Sequence, residues 1–177
     1  HPPMNITNAL SESCNAYFCE LFYRLIESKE SSKIGLDIWA KYLEEFGFGN
    51  FLNNDLHAGV PGKVPDGNYY TKVYNGQNWG ASNCISLGIG QGELLVTPIQ
   101  LANYTAILAN RGHFFTPHII KNVKGTCSIK EHLEFELIKK KFAETHNVSV
   151  QKKYFEYIIK GMERVLEGVN GTAKKSR

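Results

Sequence analysis

The segment Thr97-Pro98-Ile99-Gln100-Leu101-Ala102-Asn103-Tyr104-Thr105-Ala106-Ile107-Leu108-Ala109-Asn110 constrains the fold more than any other. The Thr97 hydroxyl can accept from the free N–H groups of a first turn, and Pro98 suits the first helical position, so a helix starts here. Ile99, Leu101, Ala102, Tyr104, Ala106, Ile107, Leu108 and Ala109 leave it almost no polar face. A helix that is apolar nearly all round is expected in the middle of a core, not on its surface. Gly112 is placed to end it.

Further helical patterns flank this one. Phe18, Leu21, Phe22, Leu25 and Ile26 recur at helical spacing and predict a helix over about Ala16 to Ser28. Ile38, Trp39, Tyr42, Leu43 and Phe46 form one stripe of a helix over Asp37 to Phe46, with Gly47 as its stop. A last helix covers about Val150 to Glu167, where Phe155, Ile158, Ile159, Met162, Val165 and Leu166 make the buried face. Gly161 inside it costs about 1 kcal/mol against Ala, a cost accepted where a neighbour comes close on that side. A shorter helix starts near Asn5, buries Ile6, Ala9 and Leu10, and ends at the step from Ser13 to Asn15.

The connections are of a different texture. From Asn53 to Asn83 the chain is punctuated by Gly59, Pro61, Gly62, Pro65, Gly67, Gly76 and Gly80 without a clear period. So long a loop is expected to wrap an edge of the domain and border a functional surface. Gly88-x-Gly90-x-Gly92 lacks the spacing of a dinucleotide-binding loop and reads as a tight turn that lets backbone approach something closely. Phe114 to Val123, with Pro117 inside, reads as an extended edge segment. Gly125 to Val148 is charged and takes no assignment.

The 177 residues suit one domain or a large part of a bigger one, and 42% hydrophobic residues are enough for a core. A net charge of only +3 argues against a dedicated nucleic-acid surface, and Lys139-Lys140-Lys141 reads as a solvated face. No apolar run approaches the ~18 residues that would cross a bilayer. The opening His1-Pro2-Pro3 carries no signal-peptide pattern, and the expectation is an excised piece of a longer protein. Cys14, Cys19, Cys84 and Cys127 have no metal or redox spacing and are expected as mostly buried, unpaired thiols, with no pairing excluded by sequence. His1, His57, His113, His118, His132 and His146 are scattered, so no metal and no cofactor is assigned.

Two serine patterns bear on chemistry. Ser149-Val150-Gln151-Lys152 has the letters of a nucleophilic serine one helical turn from a proton-accepting lysine. Ser149 falls at the expected cap of the last helix, where a cap role suffices. Ser13-Cys14-Asn15 sets two polar side chains one residue apart ahead of the Phe18 helix. Capping alone would explain either of them. A hydroxyl that donates and accepts at once, beside an amide offering both in fixed geometry, also suits proton relay and peptide binding.

Taken in order, SESCNAYF (Ser11 to Phe18), ISLGIGQGELLVTPIQLANYTAILANRG (Ile85 to Gly112) and GMERVLEGVNGTA (Gly161 to Ala173) resemble the transpeptidase domain of class B penicillin-binding proteins, of the penicillin-binding protein 2 type. Asp55-Leu56 and the glycine- and proline-rich stretch after it fit the same pattern. The resemblance spans nearly the whole chain and is weakest from Gly125 to Val148.

The resemblance implies a mainly α fold, the helical subdomain of the α/β fold shared with β-lactamases, with most of the antiparallel sheet missing. Residues 1–177 would be a partial transpeptidase domain whose last helix, about 150–167, leads toward the strand of the third motif. The family site combines Ser-x-x-Lys, Ser-x-Asn and Lys-Thr/Ser-Gly. Ser13 and Asn15 match the second. Ser149 stands on the wrong side to be the first, and Lys124-Gly125-Thr126 has the letters of the third in the wrong order.

The implied reaction is cross-linking of peptidoglycan stem peptides through a serine acyl-enzyme during cell elongation, with β-lactams acylating the same serine. The 177 residues alone are then expected to be inactive, and the last helix to expose apolar surface that favours self-association. Implied partners are an elongation glycosyltransferase and scaffold proteins, with no nucleic acid. Implied location is the inner membrane, single-pass, with the catalytic domain periplasmic. A β-lactamase or β-lactam sensor, and a non-catalytic envelope scaffold, stay open at this point.

Overall fold

Local signals set the helices of the computed structural model, in which residues 3–55, 59–121 and 128–176 are described. His1, Leu56, His57, Val123, Lys124-Gly125-Thr126 and Cys127 lie outside the described residues. Asn5 accepts from the Asn8 N–H at 2.9 Å and opens α1, Ile6–Ser11. After a three-residue turn, Glu12 to Cys14, α2 runs over Asn15–Glu27. Helix α3 covers Ser32–Glu45, one turn longer at its start than the apolar stripe suggests, because the Ser31 hydroxyl caps Ile34. It stops where Gly47 turns left-handed, at φ +87°, as its glycine predicts.

The long connection is not structureless. Asp66 caps Tyr69 at 2.7 Å and starts α4, Gly67–Val73, and a 3₁₀ helix follows over Ala81–Ile89. Tyr70 of α4 is buried with Phe22, Ile26, Leu36, Ala81, Cys84 and Leu87 in one core cluster. Composition hid α4 because it is short and begins on a glycine.

Thr97 and Gln100 form a reciprocal capping box that opens α5, Pro98–Ala109, as the sequence predicts. The buried Gln100 also donates to the Asn50 and Pro61 carbonyls at 3.0 and 2.8 Å, tying the loop to the helix. The expectation that α5 is enclosed on all sides fails. Ile107 and Leu108 are buried with Val148 and Phe155 in a second cluster, while Leu101 is 48% exposed and Thr105 and Ala106 face solvent. Apolar letters on every side do not supply a layer to cover each side.

The extended segment is shorter than read. Strand β1 is His113–Phe115 and pairs antiparallel with β2, Thr145–Asn147, in the register Phe114 opposite His146. Between them Ser128 and Glu131 form a capping box for α6, Ile129–Phe142, in the segment that gave no sequence assignment. His118 lies past β1 with its ring stacked on Phe142, centroids 4.5 Å apart. Lys139, Lys140 and Lys141 are solvated, as expected.

Helix α7, Lys152–Glu167, lies alongside α1 at one edge. A Cβ on Gly161 would stand 2.8 Å from Leu10 Cδ1 and 3.2 Å from the Thr7 carbonyl oxygen, so the glycine is there for contact. Phe155 is buried as predicted, whereas Met162 (41%) and Leu166 (45%) are exposed, because α1 covers the Gly161 side instead. Likewise Leu25 of α2 and Ile38 and Tyr42 of α3 are exposed, and Leu36 and Ala40 take the buried face of α3. The fold is mainly α with one two-stranded sheet among the described residues.

Glu27 joins α2 to this scaffold. Its carboxylate accepts from the Ala81 N–H at 3.0 Å and the Ser32 hydroxyl at 2.7 Å, which together hold it below the ordinary 4.5. A carboxyl lowered by folding stabilises the fold above its unfolded pKa and loses that effect as pH falls through the folded value. In urea titrations Glu27→Gln is expected to be less stable than the parent at neutral pH, with a gap that closes as the solution is taken to a pH well below the ordinary carboxylate range. An unchanging gap down to that pH would assign the effect to another cause.

Candidate active site

The turn between α1 and α2 carries both residues singled out by the sequence. Helix α1 ends as the Glu12 N–H reaches the Asn8 carbonyl at 2.9 Å, and the Ser13 N–H bonds the Leu10 carbonyl at 3.1 Å. Ser13 then enters the left-handed region at φ +50°, which reverses the chain and lets the Cys14 N–H reach the Ala9 carbonyl at 2.9 Å. Non-glycine residues seldom adopt this conformation, and those that do cluster at functional turns.

Capping does not explain the pair. The N-cap position of α2 is Cys14, between them, and no side chain bonds the free N–H groups of the first turn. Ser13 and Asn15 are both exposed, and among the described residues neither hydroxyl nor carboxamide has a hydrogen-bond partner. Both stand at the positive end of a 13-residue helix. Cys14, expected to face the core, is half-buried and lines a cleft of about 720 Å³ with Met4, Tyr17, Leu21 and Arg24.

Other sequence features converge on this region or leave it. The glycine-rich turn lies against α2: a Cβ on Gly88 would stand 2.6 Å from Phe22 Cβ and 3.1 Å from the Phe18 carbonyl oxygen. Gly90 and Gly92 are left-handed at φ +71° and +77°. The close approach expected of these glycines is made to the helix that carries Asn15 by Gly88, whereas a Cβ on Gly90 would meet open space and one on Gly92 would meet Ser86. Beside the turn, the Tyr70 hydroxyl donates to Glu93 Oε2 at 2.5 Å, and burial together with that carboxylate raises the phenol pKa.

The segment after α7 also arrives here. The Thr172 N–H donates to the Ser11 carbonyl at 3.2 Å, and the Ala173 N–H to the Val165 carbonyl at 3.0 Å. Gly171-Thr172-Ala173 is thus held two residues from Ser13. Ser149 is not. Its N–H donates to Glu45 Oε2 on α3, and the helix begins three residues later at Lys152. Thr7 bonds Tyr157 and Ser11 bonds Arg164, so α1 and α7 run in the same direction. Ser149 is then roughly 20 Å of helix from the Ser13 end, and its match to the nucleophile motif is a coincidence of letters.

Of the described cysteines, Cys14, Cys19 and Cys84 are free thiols, and among them only Cys84 is fully buried. Burial, with Glu93 nearby, pushes the Cys84 thiol up to about 11. Since the thiolate is what alkylates, iodoacetamide at pH 8 is expected to label Cys84 about a hundredfold more slowly in the folded chain than in the urea-unfolded chain, by peptide mass spectrometry. Equal labelling would mean that the first core cluster is open. Among the described residues no cluster of three or more His, Cys, Asp or Glu could hold a metal ion. Ser11 and Glu93 were passed over in the sequence; a small polar residue inside a helix end, and a glutamate after a glycine turn, carry no spacing of their own.

Known proteins are similar to this chain in sequence and in fold. The family model "Penicillin binding protein transpeptidase domain" matches residues 1–177. Peptidoglycan D,D-transpeptidase MrdA of Haemophilus influenzae is 28% identical over 176 residues, 99% of this chain and 24% of the relative. The protein of the same name from Escherichia coli is 27% identical over 179 residues, covering 99% and 25%. The chain thus spans about a quarter of the length of these relatives. Among solved structures, penicillin-binding protein 2 of Helicobacter pylori in complex with MreC superposes with a TM-score of 0.74, at 29% identity, over 99% of this chain and 28% of that one. Pseudomonas aeruginosa penicillin-binding protein 2 in complex with WCK 5153 gives 0.73 at 28% identity, over 97% and 33%. With its full length matched, and its three ordered segments in the places described, the chain belongs to the penicillin-binding protein transpeptidase family, of the penicillin-binding protein 2 type.

Proposed function

We propose that these residues are part of a peptidoglycan D,D-transpeptidase, a serine acyltransferase that cross-links stem peptides and is acylated by β-lactams. The observation that carries the reading is the Ser13-x-Asn15 turn: left-handed at the serine, exposed, unpartnered among the described residues, and beside the segment that follows α7. In this reading Ser13 and Asn15 are the second motif. A nucleophilic serine and a lysine, contributed by chain outside these residues, attack the penultimate D-alanine carbonyl and accept the serine proton. The terminal D-alanine leaves with a proton, and an amine from a second strand then takes the acyl group.

Ser13 relays protons beside the lysine, because one hydroxyl can accept from an ammonium while donating to the leaving nitrogen. The Asn15 carboxamide bonds the lysine and the substrate backbone. Residues 1–177 are the helical part of the domain, and the sheet with the third motif is supplied by chain outside them. By analogy with the solved Helicobacter pylori complex an MreC-like scaffold is a partner, and the family resemblance adds an elongation glycosyltransferase. Attachment is by one inner-membrane anchor, the domain lying in the periplasm. Among the described residues, no helix is long and apolar enough to cross a membrane.

Fluorescent penicillin tests the reading. The 177-residue chain is expected to give no saturable adduct, and the longer protein containing it to give one that survives denaturation. A stoichiometric adduct on the 177 residues would place the nucleophile inside them and defeat this assignment.

A further inference from the structure

We infer that Ser11 is a positioning residue that sets the distance between the Ser13 turn and the groups carried by the chain after α7; the inference rests on the transpeptidase reading for its catalytic consequence only. Ser11 is 5% exposed and directs its hydroxyl to α7 and its carbonyl to the segment after it. Its hydroxyl donates to the Arg164 carbonyl at 3.0 Å, an acceptor in the last turn of that helix. Its own carbonyl accepts from the Thr172 N–H at 3.2 Å. One residue thus grips the end of α7 on one side and the segment beyond it on the other.

The chain after α7 is shaped to be gripped. A Cβ on Gly168 would stand 2.5 Å from the Arg164 carbonyl oxygen and 3.2 Å from Ser11 Oγ, and one on Gly171 would overlap the Arg164 and Val165 carbonyls. Two glycines therefore let the backbone fold over the helix end and close on Ser11. Arg164 adds a third tie, its guanidinium donating to Asn8 Oδ1 at 2.9 Å. Ser13 follows Ser11 by two residues, with one hydrogen-bonded turn between them. A shift of the Ser11 contacts moves the Ser13 hydroxyl relative to whatever the chain carries beyond Ala173. Misplacement by an ångström is enough to slow a reaction by up to ~10²-fold without removing any reacting group.

The test uses the complete protein. Ser11→Ala is expected to lower the first-order constant for acylation by a fluorescent penicillin by about ten- to a hundredfold, with the dissociation constant of the preceding complex changed less than about twofold. Ser11→Thr, which keeps the hydroxyl, should restore most of the rate. Gly168→Ala should reproduce the defect from the opposite side of the contact. Independently of any reaction, the amides of Thr172 and Ala173 should exchange with deuterium about fivefold or more faster in Ser11→Ala. Wild-type acylation in Ser11→Ala, or unchanged exchange at Thr172, overturns the inference. A wild-type protein that takes no penicillin defeats the transpeptidase reading instead, and the exchange measurement still decides whether Ser11 holds the segment.

Discussion

In the complete protein, Ser13→Gly is expected to slow acylation by a fluorescent penicillin by roughly 10²- to 10⁴-fold, the range for loss of a general acid–base group, while leaving the fold as stable or more so. The two halves of this result come from different facts. The Ser13 hydroxyl is exposed and bonds nothing among the described residues, so its removal deletes no stabilising contact. At φ +50° the serine Cβ is in a conformation that disfavours L side chains by about 1–2 kcal/mol, and glycine relieves that strain. Residues kept for folding do not become more stable when deleted; residues kept for chemistry do. Stopped-flow acylation and thermal denaturation on the same variant read both quantities. A Ser13→Gly protein that acylates at the parental rate would remove Ser13 from the mechanism, whatever its melting temperature.

Gly161→Val is expected to damage the packing of α1 on α7. Valine improves helix propensity slightly over glycine, by a few tenths of a kcal/mol, so an isolated helix would gain. Here the new Cβ must occupy a position 2.8 and 2.9 Å from Leu10 side-chain atoms and 3.2 Å from the Thr7 carbonyl oxygen. Leu10 can swing, but the backbone of α1 cannot without losing the bonds from Thr7 to Tyr157 and from Ser11 to Arg164. Overpacking of this kind costs about 1–3 kcal/mol, which for a chain of this size is a fall in Tm of roughly 2–12 °C. Gly161→Ala should fall between parent and valine, because its propensity gain of about 1 kcal/mol offsets part of the overlap. A valine variant that melts at or above the parent would mean that α1 does not sit on α7.

Much of this was legible from residues because local rules are written in short spacings. The α5 start follows from Thr97, Pro98 and Gln100 alone, and α2 and α7 follow from their apolar periods. What periodicity does not say is which apolar face another element will cover. Leu101 and Met162 were expected inside and are exposed because the covering elements lie on the opposite sides of α5 and α7. The first turn of α3 lies outside the apolar stripe that marks the helix; it contains Gly35, where a Cβ would overlap the backbone of Ile26, so the glycine marks a helix crossing. Resemblance singles out the Ser13-x-Asn15 pair as the proposed second motif, but the left-handed serine is not legible in the sequence. Nothing in the letter distinguishes a serine at φ +50° from a capping serine. Ser11 was invisible for a related reason: its partners are 153 and 161 residues away.

That separation has a consequence for the order of events during synthesis. A helix of six residues, the length of α1, is not stable alone in water, and its partner α7 lies about 150 residues later. At ribosomal rates of ~5–20 residues per second, ~8–30 s pass before α7 exists. During that interval Leu10 and the Ser13 turn are unorganised, and an apolar stripe awaits cover. A nascent chain paused before Gly161 should therefore be open to proteolysis near Leu10 and protected once α7 has emerged.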